Sequence, residues 1–371
     1  MLTPFFFALQ YPHESLRLMS LAELKVAVGY GFSIFINFLR IVAVKKLLCV
    51  ALAAGFGAAV VPAQAQTSMP EAQVNALEGL FGKQAGSRRS QAKGLCATGY
   101  FVGNADGRSL STAAVFKGDK VPVVARFSVG GGNPKANDKG KSVRGMALQF
   151  NLPNGETWLT GNISAPMYFV SKPEQFAPWV QVRTPDPATG KPDPEKLKAF
   201  NEANPETLLQ AAYLAKQPVP ASFGGVNYWS TNAFEVTNTQ GMSQFVRWQF
   251  APQAGVMGLS DEQVKAMPDN FLADDLAERT AKGPVSFDFK LQIAEKGDPI
   301  TDPTQVWPET RKLVTAGQLH IEKLAPLSAC DNITFNPLVL PAGIKPSADP
   351  VLLARPAPYG VSLGRRLSEP R

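Results

Sequence analysis

The chain has 371 residues, 45% hydrophobic and 18% charged, so it is long enough for one large or two ordinary domains and too apolar for general disorder. Its formal net charge is +7, but Lys and Arg are scattered among acids without a basic stripe and interleaved aromatics, which argues against nucleic-acid binding. The 31 Gly and 31 Pro favour a β-rich, loop-rich domain over a helical bundle.

The N-terminal region has the features of an export signal. Lys45 and Lys46 precede an apolar run over residues 47–61, and Ala63 and Ala65 form an Ala-x-Ala pattern. This arrangement is typical of a signal peptide with cleavage after Ala65. We therefore expect a periplasmic protein with no stable membrane insertion after cleavage.

Residues 1–40 are apolar and have no clear domain pattern. An overlong gene model and a genuine membrane anchor are the two explanations. We divide the chain into an N-terminal extension with signal peptide, 1–65, and a single domain, 66–371.

Two cysteines, Cys96 and Cys330, remain after removal of the signal. Two cysteines in an oxidising compartment can pair, so we predict a disulfide between them; two free thiols are the alternative. His is scarce, since His13 falls in the leader and His320 lies in a strand-like segment that favours a structural role.

The predicted elements follow a lead-in over residues 66–94, extended or helical. Alternating apolar residues then predict strands. These lie at 121–129, at 146–150 with resumption at Trp158, in a hairpin over 233–250, and at 285–293.

Helices are predicted between these strands. Residues 194–216 form two helices divided at Pro205, and residues 271–281 form a third helical piece. Ser260 and Gln263 have the capping-box spacing, which predicts a helix running towards Met267.

Arg355 and Tyr359 are separated by one helical turn if their segment is helical. A nearby cation favours the phenolate form of tyrosine, and a phenolate oxygen is a good ligand for ferric iron and an axial ligand of haem. A cation–aromatic pair in solvent is the alternative interpretation.

Seven segments occur in the order typical of one family. They are Gln91–Gly94, Arg126–Ser128, Val143–Ala147, Gly161–Phe169, Val306–Pro308, Phe335–Pro337 with Pro341–Ile344, and Arg355 with Tyr359. Over about residues 78–366 the chain resembles the catalase family, specifically its small single-domain branch of catalase-related peroxidases.

This resemblance implies an α+β fold, a closed antiparallel β-barrel with flanking helices and a buried haem b. It implies that Tyr359 is the proximal iron ligand and that Arg355 holds it as phenolate. Arg88, Arg126 and Arg366 match the arginines that bind the haem propionates, in keeping with the fit of a guanidinium to a carboxylate.

On the distal side, the resemblance assigns Phe176 to the aromatic stacked on the haem face. It assigns Asn162 to the asparagine that hydrogen-bonds peroxide. Without the family, Phe176 reads as core packing and Asn162 as a turn residue.

The distal base is where the chain departs from the family. The family has His in the segment His-Ala-Lys-Gly, whereas this chain has Gln91. Glutamine forms hydrogen bonds but does not titrate, and general acid–base help is worth about 10²–10⁴-fold. Ser128 matches the serine that supports the histidine and is expected to support Gln91.

Pro356 and Pro358 are a second departure, because proline breaks a helix interior. They fit if a helix begins at Pro356, which would make Arg355 a cap.

The resemblance implies a haem-dependent peroxidase that reduces organic hydroperoxides, with hydrogen peroxide as a further candidate substrate and with poor or no catalase activity. Its partners would be a peroxide and a small organic electron donor, and self-association is left open. The alternatives are a haem-binding protein with little turnover and an enzyme that rearranges lipid hydroperoxides on the same scaffold.

Overall fold

The structure, a computed structural model, describes residues 67–369. Within this range it contains twelve strands. They are β1 (Gly94–Gly103), β2 (Lys120–Val129), β3 (Arg144–Asn151), β4 (Thr157–Ile163), β5 (Val219–Pro220), β6 (Tyr228–Trp229), β7 (Phe234–Thr237), β8 (Ser243–Pro252), β9 (Gly258–Leu259), β10 (Val285–Ile293), β11 (Leu313–Ala325) and β12 (Ile344–Pro346).

The expected closed antiparallel barrel is confirmed. Eight strands pair in the order β10–β11–β1–β2–β3–β4–β6–β8, and β8 pairs again with β10 to complete the ring. Strands β7 and β12 extend the sheet from β8, while β5 and β9 form a separate pair. Closure removes the free edges that a strand would otherwise present to solvent.

Alternating side chains explain why the strands curl around one core. In β10, Phe287, Phe289 and Leu291 are buried while the residues between them are only partly buried. The Phe289 ring lies 4.8 Å from the Phe250 ring and 5.6 Å from the Phe101 ring, measured between centroids. The barrel interior is therefore filled with aromatic rings, and a haem site must lie outside it.

Nine helices accompany the barrel in residues 67–369. They are α1 (Met69–Phe81), α2 (Ala105–Leu110), α3 (Phe176–Gln181), α4 (Pro194–Ala203), α5 (Leu209–Lys216), α6 (Asp261–Ala266), α7 (Phe271–Lys282), α8 (Pro350–Ala354) and α9 (Pro356–Ser368). The predicted break at Pro205 is confirmed as a 3₁₀ turn, Pro205–Leu208, between α4 and α5. The capping box at Ser260 also forms and begins α6.

Helix α1 contacts both α3 and α9. Glu78 of α1 accepts hydrogen bonds from Arg89 Nε at 2.6 Å and Arg365 Nη1 at 2.7 Å. These pairs tie α1 to the loop before β1 and to the C-terminal helix, and α1 thereby forms part of the wall of the cavity described below.

The structure contains the predicted disulfide between Cys96 and Cys330, whose Cα atoms are 5.8 Å apart. The predicted signal peptide and N-terminal extension, 1–65, lie outside the described residues. No helix within residues 67–369 combines the length and the hydropathy needed to cross a bilayer.

Candidate functional site

A cavity of about 200 Å³ lies beside the barrel, bounded by the outer side of strands β2–β4 and by α1, α3, α8 and α9. All nine residues proposed from the sequence line it: Arg88, Gln91, Arg126, Ser128, Asn162, Phe176, Arg355, Tyr359 and Arg366.

Arg355 and Tyr359 form one wall. Arg355 donates to the Tyr359 phenol oxygen from Nε at 2.9 Å and from Nη2 at 2.6 Å. Helix α9 begins at Pro356, and Arg355 is its N-cap, as the two prolines predicted. The prolines thus occupy the first turn, where no intrahelical N–H partner is required.

A buried polar chain continues behind Arg355. Its Nη1 donates to Asn232 Oδ1 at 3.3 Å, and Asn232 Nδ2 donates to Asp349 Oδ2 at 2.6 Å. Asp349 also caps α8 by accepting from the N–H of Val351 at 2.8 Å. Burial raises the pKa of Asp349 above its usual range, although its hydrogen bonds oppose the shift.

Electrostatics keep Arg355 charged at this position. Burial by itself would lower the pKa of Arg355, but attraction to the Tyr359 and Tyr168 oxygens raises it above its ordinary value. A charged guanidinium that points two N–H groups at one phenol oxygen fixes the position of that oxygen. Tyrosine is one of the residues that proteins use as an axial ligand of haem iron.

On the opposite side, Gln91 is held in a fixed position. Ser128 Oγ donates to Gln91 Oε1 at 2.6 Å, so Ser128 supports Gln91 as expected. Gly145 faces Ser128 across β2 and β3, and a Cβ there would fall 1.9 Å from Gln91 Oε1. Only glycine at position 145 leaves room for this side chain.

Asn162 is buried and its amide is fully used. Its Nδ2 donates to Met146 O and Thr160 Oγ1, both at 2.9 Å, and its Oδ1 accepts from Trp248 Nε1 at 2.7 Å. Because an indole N–H can only donate, Trp248 fixes which side of the amide carries the oxygen. Asn162 lines the cavity with an orientation set from the barrel interior.

Three arginines converge at one end of the cavity. Burial lowers the pKa of Arg88 to about 9, with further lowering from Arg126 and Arg366. Burial likewise lowers the pKa of Arg126 to about 10, against the attraction of Asp331. Arg88 and Arg126 remain charged at neutral pH, so the lowered values reflect mainly the cost of burying their charge, with a smaller contribution from repulsion between neighbouring guanidiniums.

This end of the cavity fits an anionic ligand. Within residues 67–369, Arg88 Nε is buried without a hydrogen-bond partner. A carboxylate would pair with it and relieve the repulsion among the three guanidiniums. With Tyr359 and Arg355 on one wall and the apolar Val74, Leu77, Ile163, Val170 and Phe176 on others, the residues present fit a haem.

Two more aromatic residues, Phe176 and Tyr168, line the cavity. Phe176 opens α3 and lies 5.3 Å from Phe169, measured between ring centroids. Tyr168 lines the same cavity, and burial raises its pKa so far that its phenol stays protonated at neutral pH. Tyr168 is thus an O–H donor facing the cavity.

Sequence reasoning missed Asn232, Asp349 and Tyr168. An Asp-Pro dipeptide is a helix-start signal and could have identified Asp349 as a cap, but nothing local links it to Asn232, which is distant in sequence. His320 does not line the cavity; its Nδ1 lies 2.7 Å from Ser286 Oγ between neighbouring strands, in agreement with the structural role predicted for it.

Known proteins resemble this chain both in sequence and in structure. The family model described as Catalase matches residues 79–369. A catalase-related peroxidase of Synechococcus elongatus is 42% identical, covering 86% of this chain and 96% of that protein. One of Mycolicibacterium paratuberculosis is 35% identical, covering 80% of this chain and 94% of that protein.

Among solved structures, that of a fungal catalase matches with a TM-score of 0.70 and 25% identity, covering 77% of this chain and 60% of that one. The family model spans most of the chain, and both relatives are matched over almost their whole length. The chain belongs to the catalase family.

Proposed function

We propose that this protein is a haem-dependent peroxidase that reduces organic hydroperoxides, at the expense of a small organic electron donor, with little catalase activity. The net reaction converts a hydroperoxide to an alcohol and water, and the donor supplies two electrons and two protons. The observation that carries the proposal is Tyr359 receiving two hydrogen bonds from Arg355 in a cavity that also contains three clustered arginines.

Haem b would be held by Tyr359 at the iron and by Arg88, Arg126 and Arg366 at its two carboxylates. Iron in that position supplies the redox chemistry towards the peroxide O–O bond. Phe176 and the apolar wall exclude water from the reacting face. Arg355 would hold the Tyr359 oxygen in position by donating two hydrogen bonds to that atom, from Nε and Nη2.

The distal residues explain why little catalase activity is proposed. Gln91 Oε1 is engaged by Ser128, which leaves the amide nitrogen as the donor for a bound peroxide. An amide N–H₂ group can orient the peroxide by donating a hydrogen bond, but it is not a base at neutral pH. It therefore does not accept the proton that must leave the substrate. The expected loss relative to a titrating base is about 10²–10⁴-fold.

A haem-binding protein with little turnover is a second candidate, favoured by one observation. The two Asn162 N–H groups already donate inside the protein, so a bound peroxide would have to compete with Met146 and Thr160 for them. Both candidates share the haem site and differ in turnover.

The test is hydroperoxide consumption by the purified, haem-loaded protein. With cumene hydroperoxide and a phenolic donor, the peroxidase proposal predicts turnover well above that of an equal amount of free haem. Evolution of oxygen from hydrogen peroxide should stay low. A rate no higher than free haem would favour the haem-binding candidate.

We further propose that the single haem domain, 66–371, acts in the periplasm after export. The signal-like N-terminal segment supports this, and so does the disulfide, since disulfides persist mainly in oxidising compartments.

A further inference from the structure

The Cys96–Cys330 disulfide lies directly against the arginine end of the cavity. Cys96 of β1 is the register partner of Arg126 in β2. Directly opposite residues of an antiparallel pair project from the same face of a sheet. The disulfide and the Arg126 side chain therefore share the outer face of the barrel.

Cys330 begins a short segment, residues 330–335, that contacts the other two arginines. Arg88 Nη2 donates to the carbonyl oxygens of Cys330 at 3.1 Å, Asp331 at 2.9 Å and Ile333 at 2.8 Å. Arg366 Nη1 donates to Asp331 Oδ1 at 3.1 Å. One segment thus holds two of the three proposed carboxylate-binding side chains.

The segment also forms cavity wall, because Thr334 and Phe335 line it. Phe335 packs in one buried cluster with Cys96 and Cys330. It has a φ of 48°, a left-handed conformation that strains a non-glycine residue. Residues 330–335 contain no helix or strand. Turn hydrogen bonds such as that from the Ile333 N–H to Cys330 O, side-chain contacts and the disulfide together hold this conformation.

We infer that the Cys96–Cys330 disulfide is a positioning element for the cofactor's carboxylates. By fixing residues 330–335 to β1, it holds Arg88 and Arg366 in place before the ligand arrives. The inference rests on the proposed haem function. Without the bond, the segment and its arginines would have to be ordered on binding, which lowers affinity without removing any ligand contact.

The test uses the full chain with Cys96→Ala/Cys330→Val, which refills the buried sulfur site with apolar groups. Ferric haem is titrated into the apoprotein and followed by absorption and tryptophan quenching. We expect the Kd for haem to rise about tenfold or more, the scale set by ordering a few side chains. The Kd for haem with both propionates esterified should change little, because that ligand makes no ion pair with the arginines.

Leu276→Ala is the matched control, because Leu276 is fully buried on α7 and does not line the cavity. Loss of a core leucine side chain and loss of a disulfide lower protein stability by similar amounts. The control should lower stability and leave haem affinity within about threefold, since ordering of the arginines is unaffected.

Three outcomes would overturn the inference: two free thiols in the purified wild type, equal losses for haem and its ester, or unchanged haem affinity in the cysteine variant. A wild type that binds no haem would instead overturn the proposed function. Should the cysteine variant not fold, hydrogen exchange in the wild-type apoprotein decides. A preordered segment protects the hydrogen-bonded amides of Cys330, Asp331 and Ile333 without haem, and rapid exchange there contradicts the inference.

Discussion

Gln91 is the residue whose chemistry most limits the proposed activity. Its backbone φ is 49°, in the left-handed region, where Asn, Asp and His are tolerated better than most residues. Its side chain occupies space left by the missing Cβ of Gly145. Both conditions would accommodate an imidazole at this position as well as a carboxamide.

We predict that Gln91→His increases peroxide turnover, because imidazole titrates near neutral pH and can both accept and return a proton. The gain should lie within the about 10²–10⁴-fold range of general acid–base catalysis. Initial rates with cumene hydroperoxide and the haem content of each sample measure it. Gln91→Ala is the control and should show no gain, and an unchanged rate in the histidine variant would mean that another group handles the proton.

The sequence indicated the types of residue at the site better than their hydrogen bonds. Ser128 supports Gln91 as expected, since both positions follow from contiguous motifs. The hydrogen bond from Trp248 Nε1 to Asn162 Oδ1 was not predicted, because these residues are 86 positions apart and meet only when the barrel closes. Pairings of that kind depend on strand order, which no local pattern specifies.

At the scale of elements, the α8–α9 junction determines the geometry of the Arg355–Tyr359 pair. Pro356 was predicted to begin a helix with Arg355 as its cap, and the structure confirms this. The physical reason is that proline is favoured at the first helical position. Helix α8, immediately before it, was not predicted. Its buried cap Asp349 links the junction to Asn232, which lies two residues before the start of β7.

We predict that Asp349→Ala lowers the free energy of unfolding by about 2–4 kcal/mol. This is the sum of two costs: helix α8 loses its cap, and the buried Asn232 amide loses its hydrogen-bond acceptor. It should also shift the haem absorption band, because Asn232 no longer holds Arg355. Thermal unfolding and the spectrum measure the two effects.

Asp193→Ala is a matched control, since Asp193 caps α4 through the same Asp-Pro arrangement, but its side chain is 42% exposed and it does not line the cavity. It should cost about 1 kcal/mol or less and leave the spectrum unchanged. Equal effects of the two substitutions on the spectrum would contradict the proposed link between Asp349 and Arg355.

At the scale of the whole molecule, alternation in the sequence identified β2, β3, β8 and β10, and β10 was predicted with the observed bounds. It missed β1, and of β11, the longest strand, it gave only a strand-like segment around His320. Alternation did not give the ring order or the two-residue strand β6, which completes the barrel between β4 and β8. Closure was expected from the family resemblance alone. Two residues are too few for a periodic pattern, so the sequence carries no local signal for that strand.

The whole arrangement places a phenol on one wall, an amide opposite and arginines at one end, all on the outside of an aromatic-filled barrel. Our central proposal is that Tyr359 ligates haem iron. Tyr168→Phe is the natural control, because Tyr168 lines the same cavity but accepts no hydrogen bond from Arg355 within the described residues.

The most direct measurement is the absorption spectrum of the haem-reconstituted wild type beside Tyr359→Phe and Tyr168→Phe. We predict a ferric tyrosinate-ligated haem band in the wild type and in Tyr168→Phe, and loss of that band in Tyr359→Phe. The same band with undiminished haem affinity in Tyr359→Phe would contradict the account.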